Sequence, residues 1–195
     1  MSLVDIHLEK VRQHLDEGNL PQWNVLQGAD ISALQTLSAV YPQIPSSLKA
    51  LLSRVDGTYW KKYGDVMVNL LILASDVGED FGYYLLSCEQ MIAERDYPDS
   101  IADIYDEWLG QDEVISVDNR IDLTLPMSER LCFAHCLNNG GTSRLYLDFH
   151  PAQGGTPGQV VRYLHDPDSY LVLADSFDEY LSQLLCSDYA FVSEY

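Results

Sequence analysis

Apolar residues recur at helical spacing as far as Gly57, and largely at strand spacing after it. Val4, Leu8, Val11 and Leu15 form one stripe, which predicts a helix over 3–17 stopped by Gly18. Residues 19–28, with Pro21 and Trp23, read as a loop. Asp30 suits the N-cap of a second helix carrying Ile31, Leu34 and Leu37 to Tyr41, where Pro42 ends it. A third starts near Pro45, carries Leu48, Leu51, Leu52 and Val55, and closes at Asp56-Gly57.

Beyond Gly57, Val66–Leu73 and Gly82–Leu86 are β-branched or aromatic runs between turn formers (Asp76, Gly78, Asp80), which predicts two strands. Ser87 with Gln90 forms a capping box for a short helix that Pro98 breaks. Ser100 opens another, whose Ile101, Ile104, Tyr105 and Trp108 fall on one apolar stripe with acids on the outer face. Four strands follow, at 130–137, 144–150, 159–165 and 170–174. They are separated by Asn138-Asn139-Gly140-Gly141, by the run 153–158 and by 166–169. Ser176 and Glu179 then cap a last helix with the stripe Phe177, Tyr180, Leu181, Leu184 and Leu185. A meander with flanking helices is an α+β fold, mainly antiparallel sheet flanked by α-helices. The expected organisation is an N-terminal helical extension, 1–29, packed on a domain spanning 30–195.

Charge changes the picture. Residues 1–62 hold six acids and six bases, whereas 63–195 hold 24 acids against five arginines and no lysine, the whole net charge of −19. Within 94–122 there are ten acids against Arg95 and Arg120. Phosphate binding needs a basic footprint, so nucleic acid and anionic membranes are excluded as partners. Solubility alone explains many acidic surfaces, but a basic partner also fits this one. The N-terminus lacks a basic start, and the longest apolar run, 66–74, is half a membrane span and is interrupted by Asn69. Cys88, Cys132, Cys136 and Cys186 lie in apolar surroundings without CxxC spacing, which reads as buried reduced thiols and a cytoplasmic setting.

Catalytic signatures are absent: no GxSxG, no HExxH and no GxxxxGK[ST]. Cys132, His135 and Cys136 come closest to a metal set. Strict alternation puts Cys132 and Cys136 on one strand face and His135 on the other, with the outer pair about 13 Å apart. No metal site is therefore expected, and no cofactor. The Gly154–Gly158 loop leads into a strand rather than a helix N-terminus, so it reads as a turn and not a phosphate cradle. Asp148 turns away from Leu145, Leu147 and Phe149, which makes it a solvated-face residue first. A metal-dependent or small-molecule enzyme would exploit Asp148, His150 and the Gly154–Gly158 loop, with Asp166 converging on the same pocket. Trp60, beside Tyr59 in a loop, either packs against the sheet or anchors a protein interface.

Three segments resemble the SUKH superfamily, which includes bacterial immunity proteins and a yeast cell-wall-assembly regulator. They are Ile44–Leu52 ending at Asp56-Gly57; Leu145–Asp148 through Pro151, Gly154-Gly155 and Gly158–Val161; and Leu173–Leu181. The resemblance covers about 30–186. Asp56 stands where the family has Asn, and 76–122 is longer and more acidic than its pattern. It implies a sheet with flanking helices, no catalytic residues, and a role in binding another protein, often a nuclease toxin. Contact residues expected on that basis are Trp60, Asp103, Asp106, Glu107, Asp112 and Glu113. A regulatory scaffold is the alternative.

Overall fold

The computed structural model describes residues 2–77, 82–111, 113–136, 143–165 and 167–192. Helix α1 (Leu3–His14) starts at Ser2, whose hydroxyl accepts from the Asp5 amide while the Asp5 carboxylate accepts from the Ser2 amide. Its buried face is Val4, His7 and Val11, and it ends one turn before the expected Gly18 stop because Leu15 turns extended. A one-turn helix, α2 (Leu20–Asn24), occupies the expected loop, with Pro21 in its first turn. Helix α3 (Ile31–Val40) is capped by Asp30, which accepts from the Ala33 amide at 2.7 Å. Helix α4 (Ser46–Leu52) follows Pro45 and buries Leu48, Leu51 and Leu52.

The run expected as one strand is two. Strands β1 (Lys61–Tyr63) and β2 (Val66–Val68) make a small hairpin of their own, while β3 (Leu71–Ala74) joins the main sheet. The break falls at Asn69, whose amide donates to Gln22 Oε1, and Leu70 then bonds the Thr58 carbonyl. The main sheet continues with β4 (Gly82–Leu85), β5 (Ile115–Val117), β6 (Leu131–Cys136), β7 (Ser143–Asp148), β8 (Gln159–Leu164) and β9 (Asp168–Ala174). Among the described residues its order is β3-β4-β6-β7-β8-β9-β5. All neighbours are antiparallel except β5, which pairs with β9 in parallel. Strand β5 lies in the acidic segment, where no strand pattern is evident. The turn formers Gly78, Asp80 and Asn138–Gly141 lie outside the described residues.

Between β4 and β5 come helices α5 (Cys88–Ala93) and α6 (Ile101–Tyr105); α7 (Phe177–Leu185) closes the fold. Ser87 and Gln90 form the expected capping box. Only half of the one at α7 forms: Ser176 accepts from the Glu179 amide, but the Glu179 carboxylate accepts from Asp175 instead. Against one sheet face α7 packs Phe177 and Tyr180, both edge-on to Phe133, and Tyr180 donates its hydroxyl to the Ala74 carbonyl. Helix α1 covers α7 and α4, with His7 Nδ1 2.8 Å from the Tyr189 hydroxyl. The mixed sheet flanked by helices, with an added N-terminal helix, is the α+β fold expected. Among the cysteines, Cys88, Cys132 and Cys136 are buried, but Cys186 is exposed, contrary to expectation, at the C-cap of α7.

Gly57 shows why one motif residue is what it is. Its φ of +88° is disfavoured for other residues, and a Cβ there would sit 2.6 Å from the Ser87 amide nitrogen. That close approach lets the neighbouring Asp56 carboxylate accept from the Cys88 amide at 2.9 Å, at the start of α5. Asp56 also pairs with Lys61 at 3.2 Å.

Candidate functional site

A β-bulge decides what faces the second side of the sheet. Cys132 pairs with Tyr146 and Ala134 with Leu145, so β6 spends two residues where β7 spends one. An extra residue reverses the alternation beyond it. Cys132 and His135 therefore share a face, and Cys136 falls on the opposite one beside Tyr83. This corrects the strict-alternation assignment. His135 is also not on a solvated face, being 6% exposed.

Glu94, in the single 3-10 turn after α5, meets them there, and its oxygen, Cys132 Sγ and a His135 nitrogen lie within 4.8 Å of one another. Three donors of this kind match a metal set in chemistry. Their surroundings do not. Glu94 Oε1 is 3.2 Å from His135 Nε2, and its Oε2 is 3.8 Å from Arg144 Nε, so a guanidinium already stands where a cation would compete. Burial alone would raise the Glu94 pKa, but His135 and Arg144 outweigh it and hold the carboxyl below its usual range. Burial pushes the Cys132 thiol far up, so it stays protonated. The cluster is a charge-balanced polar network, continued by Tyr59, whose ring meets His135 edge-on at 5.2 Å.

The same face opens into a cleft of about 150 Å³ walled by Tyr105, Tyr146, Tyr163 and Tyr170, with Glu94, Asp99 and Arg144 among its lining. Tyr105 and Tyr163 donate their hydroxyls to Asp168. At the mouth stand Tyr97 and Ile104, each about half exposed, and the Arg144 guanidinium lies 5.1 Å over the Tyr97 ring.

Among the described residues, none of the expected contacts lines the cleft, although the acidic ones lie close in the chain to Ile104 and Tyr105, which do. Asp103, Asp106, Glu107 and Glu113 are exposed, and Asp112 lies outside the described residues. Asp103 caps α6, accepting from the Ser100 amide and hydroxyl. Asp106 takes a φ of +39°, which ends α6 after five residues. That early end takes Trp108 off the expected stripe, and Ile104, inside the helix, faces outward as well. Ile101 and Tyr105 are buried, whereas Ile104 and Trp108 are 51% and 49% exposed. With Tyr97 and Val114 they make four exposed large apolar side chains among the acids, which the helical wheel had hidden. Trp60 is 55% exposed at a φ of +47°, next to Tyr59 in the chain, so its ring does not pack into the sheet.

Of the residues offered for an enzyme, Asp148 and His150 do not converge on an open site. Asp148 does turn away from Leu145 and Leu147, but it is fully buried rather than solvated, because residues 118–130 cover it. Its carboxylate lies 3.6 Å from Arg130 Nε and accepts from Gln159 Nε2 and the His150 amide. Arg130 in turn donates to the Asp122 and Leu125 carbonyls, which pins the covering segment to the sheet. His150 is exposed, and Asp166 lies outside the described residues. The glycine loop is a turn, as expected. It receives the Arg120 carbonyl through the Ala152 amide and the Gln159 side chain. A Cβ on Gly155 would meet that carbonyl at 2.8 Å.

A mixed sheet flanked by helices, with an added N-terminal helix, is consistent with a SUKH-like fold. The chain belongs to the SMI1 / KNR4 family (SUKH-1), whose model matches residues 28–183. Membership supports a protein-interaction, immunity-like role in general. No curated protein matches the chain in sequence.

Proposed function

We propose that this chain is an immunity-type protein that captures a cognate basic toxin domain through the surface formed by residues 97–114. One observation carries the reading. Among the described residues, four of the seven exposed large apolar side chains (Tyr97, Ile104, Trp108 and Val114) stand in that stretch, interleaved with Asp99, Asp103, Asp106, Glu107 and Glu113. Exposed aromatics ringed by charge are what interface anchors look like: the rings supply buried area and the acids supply steering and specificity. A nuclease domain, basic on the face that meets phosphate, complements it, and covering that face would block its substrate. The cytoplasm is the compartment this reading assumes.

The test is affinity between the full chain and the product of a neighbouring reading frame, measured by calorimetry at increasing salt. Affinity should fall with salt, and Trp108→Ala should weaken binding at least tenfold while leaving the unfolding midpoint unchanged. Failure to find a basic partner, or a Trp108→Ala variant that binds like the parent, overturns the proposal. A regulatory scaffold is the second reading, and its support is a separate exposed pair, Trp60 and Met67, at the small β1–β2 hairpin. It would be favoured if Trp60→Ala, and not Trp108→Ala, abolished partner binding.

A further inference from the structure

We infer that the tyrosine-walled cleft takes one arginine side chain of the basic partner, which makes it the specificity pocket of the interface proposed above; the inference rests on that reading. At about 150 Å³ the cleft is below the ~300–1,000 Å³ of small-molecule sites, so it holds the end of one side chain and not a cofactor. It opens between Tyr97 and Ile104, the two exposed apolar residues of the surface that also line it. Its carboxylates are Glu94 and Asp99, and its cation is Arg144. Glu94 is engaged by Arg144 and His135, whereas no side chain among the described residues pairs with the Asp99 carboxylate. One negative charge is left at a tyrosine-lined opening, inside a segment with ten acids and two arginines.

An anion would meet that excess charge, and an apolar group would strip water from Asp99 without replacing it. A cation is stabilised by both the ring faces and the carboxylate. Arginine fits better than lysine because its planar fork stacks on tyrosine while bonding a carboxylate. Arg144 over Tyr97 beside Glu94 is the same pairing made within the chain.

The probe is the peptide acetyl-Gly-Arg-Gly-amide, with citrulline and lysine counterparts, titrated into the 15N-labelled full chain. The arginine peptide should give saturable amide shifts at Tyr97, Asp99, Ile104 and Arg144. The lysine peptide should bind at least threefold more weakly, and the uncharged citrulline peptide at least tenfold more weakly. Tyr97→Ala and Asp99→Asn, both at exposed positions, should abolish saturation without altering the rest of the spectrum. Equal shifts with citrulline, no saturable shift at these residues, or unchanged binding in both variants overturns the inference. A hexa-arginine peptide separates the two proposals. If it binds parent and Tyr97→Ala alike, and at low salt only, the acidic surface stands as a binder of basic chains and the pocket falls. If it does not bind the parent at all, the reading of a basic partner falls as well.

Discussion

Neutralising Asp148 should unfold this protein more readily, and by an amount that separates a structural carboxylate from a chemical one. Asp148 and Arg130 are 0% and 1% exposed at their side chains, with Oδ2 and Nε 3.6 Å apart. Asp148→Asn keeps an acceptor for the His150 amide but leaves the guanidinium buried without its counter-charge. Breaking a pair at such depth costs about 3–5 kcal/mol. Each kcal/mol lowers the midpoint of a chain this long by about 2–4 °C, so a fall of roughly 6–20 °C is expected. The assay is urea and thermal unfolding at pH 7, followed by circular dichroism and tryptophan fluorescence, for Asp148→Asn, Asp148→Leu, Arg130→Met and the pair Asp148→Leu with Arg130→Met. The double variant should be less damaged than the sum of the singles, because a buried pair replaced by apolar groups leaves no orphan charge. A residue kept for chemistry behaves oppositely, and its replacement tends to stabilise. Additive singles, or an Asp148→Asn within about 0.5 kcal/mol of the parent, would refute the structural role and return Asp148 to the list of chemical candidates.

His7 gives a pH dependence of known sign. Burial holds its pKa down to about 4, below the ordinary value of about 6.5, so the folded protein keeps it neutral where the unfolded chain would bind a proton. Its contribution is complete above pH 6.5 and is lost as pH falls towards 4, reaching about 3 kcal/mol. Urea midpoints between pH 7 and 4.5 should fall more steeply in the parent than in His7→Gln; equal slopes would contradict the assignment. Gly57→Ala should cost well over 1 kcal/mol, because the φ of +88° and the 2.6 Å approach to Ser87 both oppose a Cβ. A neutral Gly57→Ala in chemical denaturation would mean that the Gly57–Ser87 contact relaxes freely.

Local rules determined much of this protein from the sequence alone. Asp30, Ser87 and Ser100 cap the helices they were expected to cap, because a hydroxyl or carboxylate three residues from an orphan amide acts within one turn. The C-terminal meander was legible because each strand alternates or runs apolar between turn formers. The acid excess was legible too, as was the SUKH-like order of motifs.

Tertiary structure decided the rest. The extra residue between Cys132 and Ala134 reversed every later face of β6, and nothing in the order Cys-Phe-Ala-His marks a bulge; only the register against β7 does. The positive φ at Asp106 ended α6 early and took Trp108 off the stripe, while Ile104, still within α6, faces outward, so an apparent core stripe is partly a surface. Asp148 changed from solvated to buried because residues 118–130 fold back across the sheet and deliver Arg130 to it. Strand β5 exists because β9 offers an edge, a partner that no three-residue stretch can announce. Periodicity reports which side chains share a face of an ideal element. It does not report where the element departs from ideality, or which distant segment covers that face, and both follow from contacts made only once the chain is folded.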